Sequence, residues 1–151
     1  MKRFSAMLVC LILMINMMAI PGFATEVPNT IIISQTITRI SDDSYYIETI
    51  SVPTTQLYDN TKIGTKTAAF VVSGTTIFSI SVTGTFSYDG TSSEATSASG
   101  SITAYVDGVT LKSRSAYTSG ASAIATGSVT YVGITLQKTV TLTCDKNGNL
   151  S

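Results

Sequence analysis

Phe78-Ser79-Ile80-Ser81-Val82-Thr83-Gly84-Thr85-Phe86-Ser87-Tyr88 alternates apolar and hydroxyl side chains along its whole length, with Gly84 standing in the apolar series. Successive β-carbons of an extended chain point to opposite sides, so a period of two predicts a strand with one buried face and one wet face. A helix of 3.6 residues per turn would scatter Phe78, Ile80, Val82 and Phe86 around its circumference. Valine and threonine add to the preference, because a branched β-carbon suits the pleated surface. Asp89-Gly90 follows directly, and Asp-Gly after a strand signals a tight reversal.

The same grammar extends both ways. Downstream, Ile102, Ala104 and Val106 share one side before a second Asp-Gly pair, Asp107-Gly108. Val109 to Tyr117 returns, Ser119-Gly120 reverses, and Ala121–Val132 and Ile134–Cys144 complete the series. In the last of these Ile134, Leu136, Lys138, Val140, Leu142 and Cys144 share a side against Thr135, Gln137, Thr139, Thr141 and Thr143. Upstream, Lys66 to Val72 closes at Ser73-Gly74, and Ile31, Ile33, Gln35 and Ile37 lead into the turn Ser41-Asp42-Asp43-Ser44. Between them Tyr45, Ile47, Thr49 and Ser51 oppose Tyr46, Glu48, Ile50 and Val52, and the pattern leaves the inner side of that strand open. Pro53 to Gly64 reads as a connecting loop.

These readings give about eight strands and no helical stripe. Connections this short imply antiparallel neighbours, since parallel strands need a crossover of about a dozen residues or more. Two packed sheets are the natural way to bury so many one-sided strands. The expected fold is all-β, an antiparallel β-sandwich, Ig-like or similar, with residues 25–63 as an N-terminal hairpin and linker and residues 64–151 as the main sandwich of one globular unit.

Export is expected from the first two dozen residues. Lys2 and Arg3 precede an apolar run from Phe4 to Ile20, Pro21-Gly22 ends it, and Gly22 and Ala24 place small residues where a signal peptidase reads them. Residues 1–24 are therefore read as a signal peptide cleaved after Ala24, which makes contact with the membrane transient. An uncleaved anchor is the competing reading, because the run approaches the roughly 18 residues a span needs. About a third of the residues after position 24 are Ser or Thr, a content that would suit a disordered stalk were the apolar period not so regular.

Composition excludes several functions. The 151 residues carry 9 basic and 9 acidic side chains, so there is no basic footprint for a nucleic acid. No histidine is present, which removes Ser-His-Asp and Cys-His mechanisms and the commonest metal ligand. No cofactor is expected.

Three stretches resemble a family of small secreted all-β proteins of Gram-positive, Firmicutes-type bacteria: Tyr45-Tyr46-Ile47-Glu48-Thr49, Gly64-Thr65-Lys66-Thr67, and Val82 to Gly90, which carries a GTFxYxG strand-turn. Lys112-Ser113-Arg114-Ser115-Ala116, Ser119-Gly120, and a C-terminal VTLTCxxxGxLS signature over Val140–Ser151 extend the resemblance across roughly residues 42–151. It implies export and the all-β fold rather than an activity. Relatives of this pattern carry Trp where this chain has Phe78, and a cysteine where it has Ala95. The resemblance thus implies that Ala95 and Cys144 lie close, with Cα atoms within about 7 Å, as a bridging pair would require.

Candidate chemistry is sparse. After Cys10 leaves with the signal, Cys144 is a lone thiol with no histidine or basic cluster to activate it, which points to a core cysteine or an intermolecular disulfide. Lys112 and Arg114 alternate along one strand, and with Tyr117 they form the candidate ligand surface, an anion- or wall-polymer stripe that Lys138 would extend. The solvated edge of a sheet explains the same charges. Asp42, Asp43, Asp89, Asp107 and Asp145 sit in turns, where Asp bonds local backbone, so a glycosidase pair is the minor reading. Asp145-Lys146-Asn147-Gly148-Asn149 begins like a calcium loop but has Leu150 at the sixth position and no distal Glu. The reading is an exported, non-enzymatic protein that binds a cell-surface glycan or another protein. A secreted effector or bacteriocin is the alternative, and a small carboxylate-dependent hydrolase the weaker one.

Overall fold

The computed structural model describes residues 29–55 and 60–151. The signal peptide expected over residues 1–24 lies outside the described residues. Eight antiparallel strands form two sheets. β1 (Thr30–Arg39), β2 (Ser44–Pro53), β3 (Thr61–Val72), β4 (Thr75–Tyr88) and β5 (Ser93–Ala104) lie side by side in chain order, and β6 (Thr110–Ser119), β7 (Ser122–Tyr131) and β8 (Ile134–Thr143) form the second sheet, also in order. The sheets pack face to face as a sandwich. Its connectivity is simpler than the Greek key of an immunoglobulin domain: each sheet is a meander, and the chain changes sheets once, between β5 and β6.

The period-two stretch Phe78–Tyr88 lies within β4, whose apolar side faces the second sheet. Phe78 and Phe86 are fully buried, as are Ile80 and Val82. Beside this row of large side chains β5 offers small ones: Phe86 lies opposite Ala95, Val82 opposite Gly100 and Phe78 opposite Ala104. The second sheet closes onto the same small-residue seam. A β-carbon at Gly84 would lie 2.7 Å from that of Ala123, and one at Gly100 would lie 3.0 Å from that of Ala125. At the other end of the core Tyr46, Phe70 and Phe78 stand opposite one another across β2, β3 and β4, with ring centroids 5.2 and 5.3 Å apart. Tilted contacts at this spacing suit the ring quadrupoles.

Two boundaries differ from the sequence reading. β3 begins at Thr61, inside the segment read as loop, because Thr61 to Gly64 pair with Gly84 to Ser87 of the long β4. The apolar period is invisible there, since Lys62, Gly64 and Lys66 occupy the inward positions. β5 begins at Ser93, well before Ile102, and its inner side is built from Ala and Gly, which carry no hydropathy signal.

The reversals follow their sequences. Ser73-Gly74 and Val132-Gly133 each place two residues at positive φ, the two-residue hairpin turn that matches the twist of its strands. Val132 is the unusual member: a β-branched residue at φ 49° with its side chain 77% exposed. After β8 the chain folds back, so that Leu150 bridges to Cys144 and its side chain seats against Gly64.

Candidate functional site

All ten residues of β6 are exposed, but the candidate surface Lys112, Arg114, Tyr117 is divided between its two sides. Arg114 lies opposite Gly127, which is buried between the sheets, whereas Tyr117 lies opposite Ile124 on the outer side of the same pair. A register shift at Lys112 turns that side chain with Arg114 around a shallow concavity of about 290 Å³ that also touches Ile102 and Leu111. Lys138 belongs elsewhere. It projects between the sheets to Glu48, with Nζ 2.7 Å from Oε1, and covers the ring of Tyr46 at 4.6 Å. Lys66 stands 3.8 Å from the same carboxylate. These contacts tie the edge of the second sheet to β2 and explain how Glu48 occupies an inward position: a half-buried carboxylate is tolerated when cations and hydrogen bonds replace its water.

Cys144 is buried in the same core cluster as Ala95. Their backbone amides bind consecutive carbonyls, Ala95 to Gly120 and Cys144 to Ala121, and the hydroxyl of Ser93 donates to the Cys144 carbonyl at 2.5 Å. Burial pushes the Cys144 thiol up, and the neighbouring Asp145 adds to that shift against the weaker opposing pull of Lys62. A thiol kept protonated and covered is a poor nucleophile. We expect Cys144 to resist a thiol-reactive disulfide reagent at mildly alkaline pH while the protein is folded and to react completely in denaturant. Rapid labelling of the folded protein would mean that the C-terminal fold-back opens readily.

Two of the turn acids, Asp89 and Asp145, are occupied by their own turns. The Asp89 carboxylate accepts hydrogen bonds from the Thr91 hydroxyl and from the Ser92 and Thr91 amides, which hold its pKa down to about 2. Asp145 accepts from the Asn149 side chain and from the Asn149 and Asn147 amides, and its pKa is lowered by the same cause. The calcium-like start at Asp145 is thus a capped turn. Among the described residues no group of three or more His, Cys, Asp or Glu side chains is placed to hold a metal ion.

Among the described residues the tyrosines are spread over the molecule and form no single stacking platform. Tyr46 is in the core, the Tyr88 ring packs against Gly148, Tyr105 reaches the Ser79 hydroxyl at 3.2 Å, and Tyr117 lies on the other sheet. Tyr131 lines an apolar cleft of about 310 Å³ at one end of the sandwich, with Phe70, Val72 and Leu136 as walls and Val132 and Ile134 at its rim.

What the register does assemble is a field of hydroxyls on the outer side of the five-stranded sheet. Ser51, Thr65, Thr83 and Ser99 stand opposite one another across β2 to β5, and Thr49, Thr67, Ser81 and Ser101 form the adjacent row. Strand spacing puts neighbours in a row about 4.8 Å apart and the two rows about 6.8 Å apart. Within the field Thr65 and Thr83 share a 2.8 Å hydrogen bond, as do Ser81 and Ser101 at 2.7 Å. Neither row contains a charged side chain. The alternating hydroxyls of β2 and β4 were legible in the sequence; those of β5, and the alignment of all of them into rows, were not. No family model, curated protein or solved structure matches the chain.

Proposed function

We propose that this protein is exported, does no chemistry, and binds a neutral, hydroxyl-rich polymer outside the cell, a surface glycan foremost, through the outer side of its five-stranded sheet. The two aligned rows of four hydroxyl side chains carry the reading. A wet sheet face normally carries Lys and Glu, which keep it soluble and unpaired. This one carries groups that both donate and accept hydrogen bonds, as the hydroxyls of a sugar polymer do. Its lack of charge selects neither phosphates nor acidic polymers. Each hydroxyl contact is worth little alone, on the order of 1 kcal/mol net, so the ligand must be extended enough to engage several at once.

Sedimentation with cell walls and insoluble neutral polysaccharides tests this. The purified protein should pellet with at least one of them and be released by the matching soluble oligosaccharide. Ser99→Glu combined with Ser101→Glu, two exposed positions in the field, should lower retention tenfold or more while leaving the thermal melt unchanged. Lys112→Ala with Arg114→Ala, on the other sheet, should leave retention as it was. Absence of retention on every material, or retention indifferent to the two glutamates, would remove the glycan reading and leave a protein partner.

A further inference from the structure

Among the described residues the most exposed run of apolar surface is β1. It is the edge of the five-stranded sheet, and all ten of its residues are exposed. Ile31, Ile32, Ile33 and Ile37 are each about half to two-thirds exposed, and so is Ile40 just beyond. The second sheet lies over β3 to β5, with Lys138 of β8 reaching as far as Glu48 of β2, so among the described residues nothing covers β1 on either face. Among the described residues no strand lies beside its outward backbone groups.

The other three edges carry devices that discourage pairing. β6 has Lys112 at a bulge and Arg114, β8 has the inward-pointing Lys138, and β5 has Glu94 followed by a bulge. Charge on an edge, inward-pointing charge and bulges are how sheet proteins keep edges apart. β1 has a register shift near Ile33 but no charge before Arg39 at its far end and no proline.

We infer that β1 pairs antiparallel with β1 of a second copy of this chain, about a two-fold axis near Gln35. An occupant of a sheet edge must itself be an extended strand, and this one matches itself. About Gln35 the flanking residues are Ser34 and Thr36, so hydroxyl meets hydroxyl, and beyond them Ile33, the residue at the bulge, comes toward Ile37 with no like charges opposed. That is the self-complementarity a two-fold contact requires. Cross-strand pairs of β-branched residues are among the stabilising ones in antiparallel sheets. The result is a continuous sheet of ten strands, within the size open sheets reach. Such an axis is perpendicular to the sheet and keeps both outer faces on one side. The row Gln35, Thr49, Thr67, Ser81, Ser101 would then run on, through the second Gln35, into its own symmetry copy.

Sedimentation velocity on the purified protein, with no polysaccharide present, reads the pairing separately from the glycan reading. The expected result is a species of twice the chain mass that grows in with micromolar concentration and stops there. Ile33→Lys with Ile37→Lys should return it to single-chain mass with an unchanged melt. Independently, Gln35→Cys should form a reducible covalent dimer under mild oxidation, since its β-carbon would face its own copy across the axis, whereas Thr103→Cys on the opposite edge should not. Single-chain mass at every concentration, growth past the dimer, or a dimer that survives the two lysines and does not cross-link at position 35 would each overturn the inference.

Discussion

Phe78→Ala is expected to lower the free energy of unfolding by about 3–5 kcal/mol. Phe78 is fully buried on β4, its ring 5.3 Å from that of Phe70, and beside it on β5 stands only Ala104. Removing the ring leaves a cavity that an alanine neighbour cannot fill, and it breaks the aromatic row from Tyr46 through Phe70. Against a total stability of about 5–15 kcal/mol this is a large share. Urea unfolding followed by circular dichroism measures it, and a thermal midpoint lower by roughly 10–20 °C should accompany it. Phe78→Leu, which keeps most of the volume, should cost much less. A loss below about 1 kcal/mol for the alanine would mean that this ring is not at the centre of the core.

Gly84→Val should cost about 3 kcal/mol by the opposite route. A β-carbon at Gly84 would meet the β-carbon of Ala123 at 2.7 Å and the Phe86 ring at 2.7 and 2.8 Å. Valine adds two methyl groups beyond that, so β7 would have to move away from β4. Gly84 interrupts the apolar side of the period-two stretch because the two sheets touch there. Gly74→Val adds the same atoms where nothing lies within 4 Å, so its cost is confined to the strain of a positive φ. Denaturant midpoints of the two variants separate crowding from backbone strain. Equal losses would show that the sheets do not close on Gly84.

Legibility in the sequence followed the size of the inward side chains. β4 was readable from Phe78 onward, because Phe, Ile and Val alternate with Ser and Thr over that stretch, and only its first three residues, Thr75 to Ile77, were missed. β5 was missed before Ile102, because Ala95, Ala98 and Gly100 are small in order to receive the large residues of β4. β3 was missed at its start, where Lys62 and Gly64 face inward. The site was legible only in part. The sequence supplied Lys112, Arg114 and Tyr117 as a group, but strand alternation places Arg114 and Tyr117 on opposite sides of β6. Lys138 was grouped with them on charge alone, and its partner proved to be Glu48, ninety residues earlier in the chain.

Antiparallel strands, the position of most turns and the buried face of β4 could all be read from residue order. Those are local properties, written by the direction of successive β-carbons and by the φ that Gly, Asn and Asp permit. Packing alone made Tyr46, Glu48, Ile50 and Val52 the inner side of β2, because that side becomes tolerable when Lys138 arrives from the second sheet. It alone decided that eight hydroxyls line up into two rows and that β1 is left as an open edge. Register and sheet order bring together residues far apart in the chain, and alternation within one strand carries no record of its neighbour.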